Sequence, residues 1–264
     1  MTYTLEQVAK MAGVSRSTVS RVINHQPHVR SEVRERVWEV IRRVGYQPHA
    51  AARSLVTRCT QIIGMVIPEA VTTLFTDPFF PLLLRGATEA CNAHQYQLML
   101  SLFTAPADRQ EMYQRILRNG YLDGVIVAST SLNDPFIPNL LRDQIPFISV
   151  GQYPDERVHY VDVDNVGGAR MAVEHLIRLG YERIATITGP LDMIAGQDRL
   201  SGYRQALEAR GIPVEEELIV EGDFTEASGV VGMQRLLPVS PSAVFVASDM
   251  MAIGALKALR EAGR

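Results

Sequence analysis

Apolar residues recur at offsets of three and four through the first 45 residues, which is the spacing of amphipathic helices. Residues 4–7 have the form of a capping box, which predicts a first helix that runs to about Met11. Gly13 then provides the positive φ that a tight turn needs. Ser15 caps a second helix, Arg16–Ile23, whose apolar side chains face the first. Two short helices packed across such a turn predict a helix-turn-helix.

A third helix is predicted from Ser31 to the residue before Gly45, because a glycine at that position favours the end of a helix. Valine and isoleucine residues form its buried stripe. The arginines around this helix lie outside the stripe and are available to phosphates: Arg30, Arg34, Arg36, Arg42 and Arg43.

From residue 61 onward, short apolar strands alternate with helices, which predicts doubly wound parallel sheets. The strands are predicted at 62–67, 97–102, 124–128, 146–150, 158–163, 184–188, 218–221 and 243–247. The helices are predicted at 80–94, 108–118, 166–179, 199–210 and 250–262. A break at 151–157 divides the strands into two groups, so we expect two facing sheets with a ligand cleft at the carboxyl ends of their strands.

The predicted fold class is therefore α plus α/β, with a helix-turn-helix headpiece followed by two doubly wound parallel-sheet subdomains. We expect the headpiece at 1–48, a hinge helix or linker at 49–60, an N-subdomain at 61–151 and a C-subdomain at 158–264.

The charge of the chain is divided unequally. The net charge of the 264 residues is −3, but residues 1–60 carry ten Lys and Arg against four Asp and Glu, and the remainder is acidic. A basic head on an acidic body favours a nucleic-acid-binding module, although a chance cluster of charge has the same appearance. The 47% hydrophobic content is enough for a sizeable core.

Several classes of protein are disfavoured. No apolar run reaches the roughly 18 residues of a membrane span, the N-terminus lacks the features of a secretory signal, and only two cysteines occur, so we expect a cytoplasmic protein. The six histidines have no metal-ligand spacing. Nucleophile-elbow, phosphate-loop and dinucleotide motifs are missing, so we expect no catalytic residue, no metal, no cofactor and no enzymatic activity.

The outward face of the second helix carries the candidate base-reading residues. Arginine offers a fork of donors that fits guanine in the major groove, and serine and asparagine suit phosphates or other base edges. The alternative is an ordinary solvated helix face. The residues of the turn and the positive charge disfavour this alternative, because both agree with insertion into a DNA groove. The candidates are Arg16, Ser17, Ser20, Arg21 and Asn24.

Residues 3–57 resemble the headpiece of the lactose repressor family (LacI/GalR type), in the strings TLEQVAKMAGVSRSTVSRVIN and VRERVWEVIRRVGYQPHAAARSL. The resemblance implies that the hinge helix forms on operator DNA and drives Leu55 into the minor groove, where an apolar wedge unstacks a base step. His49 departs from the family's usual asparagine after Pro48, so we expect hinge docking to survive without the contact that the asparagine makes. The DNA-binding residues so implied are Thr4, Ser15, Arg16, Ser17, Thr18, Ser20, Arg21, Asn24, His28, Ala52, Arg53 and Leu55.

The resemblance to this family, and through it to periplasmic sugar-binding proteins, continues to Arg264 in strings such as YVDVDNVGGARMAVEHLIRLGYERIATITGP and AVFVASDMMAIGALKAL. It implies an effector site formed by Asp77, Phe79, Phe80, Asp164, Arg199, Phe224 and Asp249. Alternatives remain for each type of residue. The phenylalanines suit a core, the arginine suits a salt bridge with Asp198 or Asp192, and Asp164 and Asp249 suit helix N-caps.

Two departures from the family pattern affect these expectations. Met193 and Ala195 stand where purine-binding members have an arginine and a threonine, which argues against a purine and leaves a sugar or sugar derivative ahead. The family's chains also continue beyond the position of Arg264 with the last strands of both subdomains. We therefore expect this chain to be truncated relative to the family, as a fragment or as a natural product, with an incomplete C-subdomain.

The function predicted is a transcriptional repressor that binds a pseudo-palindromic operator as a homodimer, with an affinity controlled by a small carbohydrate effector. The alternative is a sugar-binding or sugar-modifying protein without a regulatory role. The sequence leaves open which effector binds and whether it acts as an inducer or a co-repressor. It also leaves open which genes are targets and whether the protein is a dimer or a tetramer.

Overall fold

The computed structural model describes residues 3–24, 26–46, 59–70, 77–103, 111, 113–117, 120–128, 131–133 and 135–264. The chain divides into two compact units, Met1–Thr60 and Gln61–Arg264, each with its own hydrophobic core. No helix in the described ranges is both long enough and apolar enough to cross a membrane.

The first unit is a three-helix head with α1 at Leu5–Ala12, α2 at Arg16–Ile23 and α3 at Ser31–Val44. The predicted capping box is present, since Gln7 N–H donates to Thr4 Oγ1 and Thr4 N–H donates to Gln7 Oε1. Gly13 has φ +64° and ends α1, and Gly45 ends α3 with φ +63°. The predicted helix-turn-helix is therefore confirmed, with α1 ending one residue later than predicted.

The core of the head is formed by all three helices. Their shared feature is a small or β-branched apolar side chain facing inward, which lets short helices approach closely. The buried members are Val8, Ala9, Ala12, Val19, Val22, Val37, Val40 and Ile41.

The first sheet of the second unit is entirely parallel in the order β2-β1-β3-β4-β5. Its strands are β1 at Ile62–Ala70, β2 at Gln97–Phe103, β3 at Gly124–Ala128, β4 at Phe147–Val150 and β5 at Tyr160–Val161. Its helices are α4 at Phe79–Ala93 and α5 at Phe136–Arg142, with a π-helical turn at Tyr113–Leu117.

The second sheet is parallel in the order β7-β6-β8. Its strands are β6 at Ile184–Thr188, β7 at Ile219–Glu221 and β8 at Ala243–Val246. The helices around it are α6 at Asn165–Arg178, α7 at Ile194–Glu208, α8 at Glu226–Leu236 and α9 at Asp249–Glu261, with short 3-10 turns at Glu216–Leu218 and Leu237–Val239.

One strand is assigned to the wrong group by the sequence. The segment 158–163 forms a strand only at Tyr160–Val161, and this strand pairs with β4 in the first sheet, with Ser149 opposite Tyr160. The strand ends where the Asp162 carboxylate accepts hydrogen bonds from Gln152 N–H and Val163 N–H. The first sheet therefore continues past the predicted break before the chain enters the second.

Two helices lie outside the predicted set, α5 and α8. In α8, a Cβ at Gly229 would lie 2.0 Å from Met251 O in α9, so this glycine is what allows the two helices to approach. Glycine lowers helix propensity, which makes such a helix hard to recognise from sequence. Of the predicted helix 108–118, the described parts are Glu111, which is helical, and the π-helical turn at Tyr113–Leu117.

The strand orders indicate where each sheet would bind a ligand. In a doubly wound sheet, the crevice lies at the carboxyl ends of the strands, where the order reverses. This point falls between β1 and β3 in the first sheet and between β6 and β8 in the second. Most of the predicted effector residues lie in the chain segments that follow β1, β6 and β8. Phe224 lies in the segment that follows β7, which is next to β6.

Candidate functional site

The outward face of α2 presents three exposed predicted base readers, Arg16, Ser17 and Arg21. Ser20 and Asn24 are half-buried farther along the same helix. His28 is exposed and has φ +77°, in the left-handed region that non-glycine residues rarely adopt.

Two other predicted DNA contacts already serve the fold of the head. Thr4 is the N-cap of α1, and Ser15 is the N-cap of α2, where its hydroxyl accepts from Thr18 N–H at 3.2 Å. The Ser15 hydroxyl also lies 2.8 Å from Ser17 Oγ and 2.9 Å from Thr18 Oγ1. The predicted hinge contacts Ala52, Arg53 and Leu55 lie outside the described residues.

Arg16 has a partner that the sequence reading missed. Its Nε lies 3.2 Å from Glu6 Oε1, which joins the first residue of α2 to the first turn of α1. The two side chains remain 71% and 59% exposed, so the pair lies on the surface of the head.

In the second unit, Arg199 of α7 lies half-buried at the carboxyl end of the second sheet. Its Nε donates to Asn165 Oδ1 at 2.9 Å, and its Nη1 donates to the backbone oxygen of Ala247 at 2.7 Å. Its Cζ lies 5.6 Å from the centroid of the Phe224 ring, within range of a cation–π contact. Nη2 makes no hydrogen bond to any residue in the described ranges, so one end of the guanidinium is available to a ligand.

The electrostatics around Arg199 come from both sheets. Burial lowers the pKa of Arg199, while the carboxylates of Asp162, Asp77 and Asp198 raise it. Asp77 follows β1 of the first sheet, so its effect on Arg199 brings predicted effector residues of the two sheets into one electrostatic environment. An arginine keeps its charge at neutral pH in such a setting.

Phe224 is held in an unusual backbone conformation. Its φ is +66°, which costs free energy for a bulky residue and is a common sign of a functional site. The ring lies across Gly189 at the end of β6, where a Cβ would come within 2.2 Å of Phe224 Cζ. The glycine therefore makes room for the aromatic ring beside Arg199.

The two other predicted aromatics are placed differently from each other. Phe79 is 50% exposed, and its N–H donates to Asp77 Oδ1 at 2.9 Å. Phe80 is only 3% exposed and packs in the core of the first sheet with Met65 and Ile67, as its core alternative expects. The structure therefore leaves Phe79, rather than Phe80, with a surface to offer a ligand.

The predicted aspartates also separate into two cases. Asp164 is the N-cap of α6 and accepts from Gly167 N–H at 2.7 Å, which is its structural alternative. Asp249 is exposed at the start of α9, but the cap there is Ser248, whose hydroxyl accepts from Met251 N–H. The N-cap alternative for Asp249 is therefore wrong.

The salt-bridge alternative for Arg199 is also wrong, because its hydrogen bonds go to Asn165 and Ala247. Asp192 Oδ2 instead accepts from Ser131 Oγ at 2.7 Å, and Asp192 O accepts from Leu132 N–H. These bonds join the segment after β3 to the segment after β6, at the carboxyl ends of both sheets.

Asn165 is the principal residue of this candidate site that the sequence did not indicate. It is 5% exposed, and it joins Arg199 to Asp162, since its Nδ2 donates to Asp162 Oδ1 at 3.0 Å. A single asparagine after a strand carries no signal of such a role in the sequence. Within the described ranges, no group of three histidine, cysteine or acidic residues is arranged to hold a metal ion.

Two family models match the chain. Residues 4–49 match the family of bacterial regulatory proteins of the LacI type, and residues 60–264 match the family of periplasmic binding proteins and the sugar-binding domain of the LacI family.

The chain is similar to characterised regulators over almost its whole length. It is 43% identical to the HTH-type transcriptional regulator CelR of Thermobifida fusca, over 99% of this chain and 78% of that protein. It is 32% identical to catabolite control protein A of Priestia megaterium, over 100% of this chain and 79% of that protein.

Solved structures give the same result. A complex of the transcriptional regulator CelR with cellobiose is 40% identical and has a TM-score of 0.75, over 99% of this chain and 79% of that one. The lac repressor dimer bound to operator and the anti-inducer ONPF is 25% identical, with a TM-score of 0.83 over 100% of this chain and 79% of that one. The predicted fold class is confirmed, and the chain belongs to the LacI family of bacterial transcription regulators.

Proposed function

We propose that this chain represses transcription by binding a pseudo-palindromic operator as a homodimer, and that a carbohydrate bound in the second unit controls its operator affinity. The observation that carries the effector part is the Arg199 guanidinium. It lies half-buried beside the Phe224 ring at the carboxyl ends of parallel strands, with Nη2 left for a ligand.

The DNA part of the proposal assigns base reading to α2. Arg16 and Arg21 suit guanine, and Ser17 suits a base edge or a phosphate, all from exposed positions on one helix. An eight-residue recognition helix covers a single half-site, so tight specific binding needs two heads on a two-fold symmetric site. The similar lac repressor is a dimer bound to operator, which supports this assignment.

The effector part assigns a sugar to the Arg199 site. An aromatic ring stacks on the apolar face of a sugar ring, while guanidinium and carboxylate groups hydrogen-bond to its hydroxyls. Asp77 and Phe79 supply such groups from the first sheet, and Arg199 and Phe224 supply them from the second. Because a CelR structure similar to this chain is a cellobiose complex, we take cellobiose as the first ligand to test.

We further propose that the chain catalyses no reaction and works in the cytoplasm. Its relatives are DNA-binding regulators, and a regulator of bacterial operators needs access to the chromosome.

The test begins with selection of binding sites from a random DNA library by the full chain. Fluorescence anisotropy then measures Kd for the best site with and without cellobiose, with maltose and hypoxanthine as comparison ligands. Enrichment of an inverted repeat and a cellobiose-dependent change in Kd are expected. Arg199→Ala should keep the DNA affinity and lose the response to cellobiose, since Arg199 lies in the second unit. A protein that enriches no site, or that binds cellobiose without any effect on DNA affinity, would be the sugar-binding alternative instead.

A further inference from the structure

Glu6 and Arg16 form a contact between the two helices of the helix-turn-helix. Arg16 Nε lies 3.2 Å from Glu6 Oε1. Both ends of the contact have fixed backbones, because the Thr4–Gln7 capping box begins α1 and the Ser15 cap begins α2. Tyr46 lies close to both groups: burial raises the pKa of its phenol, Glu6 raises it further, and Arg16 lowers it. The carboxylate of Glu6 and the guanidinium of Arg16 are therefore paired on the surface of the head, at the start of α2.

The contact uses one particular nitrogen of the arginine. A guanidinium recognises guanine bidentately through two of its N–H groups, which bond to O6 and N7. Glu6 approaches Arg16 at Nε as an ion pair, so the terminal pair Nη1 and Nη2 is left for such a contact. In Arg16 neither terminal nitrogen bonds to any residue in the described part of the chain.

The charge of Glu6 has a second consequence. Glu6 is the only acidic residue among the first 31, and it lies against a predicted base-reading arginine. Phosphates attract arginines at every site on DNA, whereas a guanine edge forms hydrogen bonds with an arginine only in the correct geometry. A carboxylate beside Arg16 weakens the first attraction and preserves the second. An exposed pair of this kind adds little to folding stability, so a change in DNA binding when it is removed would not come from a loss of fold.

We infer that Glu6 is a positioning residue for base reading: its carboxylate, paired with Arg16 beside Nε, restrains the guanidinium at the start of α2 and penalises phosphate contacts, so that it raises the discrimination of operator from other DNA. This inference rests on the proposed reading of DNA by α2.

The test compares three substitutions in the full chain on the selected operator and on a scrambled duplex. Glu6→Gln keeps the shape and removes the charge, and Glu6→Asp keeps the charge but shortens the reach to Nε. The matched control is Glu32→Gln, which removes an exposed first-turn carboxylate of α3 that has no contact with Arg16. Kd is measured over a range of salt concentrations, and circular dichroism confirms the helix content of each variant.

The Glu6→Gln variant should bind scrambled DNA more tightly. The ratio of Kd for scrambled DNA to Kd for the operator should fall about tenfold. The dependence of log Kd on log salt concentration should become steeper by about 1, because Arg16 turns to a phosphate. Glu6→Asp should lose part of the discrimination, because the shorter side chain places its carboxylate farther from Arg16. Equal changes for Glu6→Gln and Glu32→Gln would overturn the inference, since they would reflect net charge only.

The double variant separates this inference from the proposed function. In an Arg16→Ala background, Glu6→Gln should have no further effect on discrimination, and additive effects would overturn the coupling. If Arg16→Ala itself leaves discrimination unchanged, base reading by this arginine fails, whatever Glu6 does.

Discussion

Gly189→Ala should disturb the effector site through one neighbouring ring. The added Cβ would lie 2.2 Å from Phe224 Cζ and 2.3 Å from Cε1, where carbon atoms at rest are about 3.5–4.0 Å apart. Gly189 does not have a positive φ, so alanine fits its backbone and the conflict is confined to the ring. Phe224 must therefore move by more than about 1 Å, away from its place beside Arg199.

The displaced ring loses the cation–π contact, which contributes about 0.5–2 kcal/mol, and its face is no longer offered to a sugar. If the chain binds cellobiose as proposed, its affinity for cellobiose should fall roughly tenfold in isothermal titration calorimetry, with operator affinity in the absence of sugar unchanged. Gly168→Ala is the matched control, because a Cβ at that exposed helical position meets nothing within 4 Å.

A double-mutant cycle tests the same reasoning without a ligand. Gly189→Ala should lower the free energy of unfolding by about 1–3 kcal/mol in the native background, as overpacking does, and by much less when Phe224 is already alanine. Equal costs in the two backgrounds, measured by urea denaturation, would refute the idea that the ring is what the new Cβ meets.

Three other outcomes are expected. Burial raises the pKa of Tyr203 to about 12, and its hydroxyl donates to Ile184 O at 2.7 Å, so stability present below pH 10 should be lost as pH rises from about 10 to 12. Tyr203→Phe should flatten that dependence and cost about 1 kcal/mol at pH 7; an unchanged alkaline slope in urea melts would contradict this. Leu55→Ala should weaken operator binding and remove the DNA bend, and unchanged bending in a circular-permutation gel assay would exclude the wedge. Footprinting should show two half-sites protected together, whereas one isolated half-site bound by a monomer would contradict the dimer.

The head could be predicted almost completely because its determinants are local. A capping box, a glycine with positive φ and a serine cap each act within four residues, and the structure has all three where the sequence places them. The strands of the second unit were also recognisable, because a buried parallel strand is a short apolar run. The assignment of β5 was wrong, because nothing in residues 158–163 indicates which sheet this strand joins. In the structure it pairs with the edge strand β4 of the first sheet.

Only part of the candidate effector site could be named from the sequence. Arg199 and Phe224 were named from the resemblance, and the structure places Arg199 Cζ 5.6 Å from the centroid of the Phe224 ring. Asn165, which orients the guanidinium, could not, because its role depends on a contact with a residue 34 positions away. The same holds for the contact of Asp192 with Ser131, which joins two segments 61 positions apart.

The aspartates show why a short sequence string cannot separate a cap from a ligand. In parallel α/β sheets the carboxyl end of a strand and the N-terminus of the next helix share one edge, so both roles call for an acidic residue at the same place. What separates them is which oxygen the first turn of the helix already uses. In α6 the Asp164 carboxylate accepts a hydrogen bond from Gly167 N–H, so it serves as the cap. In α9 the Ser248 hydroxyl accepts the cap hydrogen bond from Met251 N–H, and Asp249 is exposed next to it. Of the two, Asp249 is therefore the stronger candidate to accept a hydrogen bond from a sugar hydroxyl.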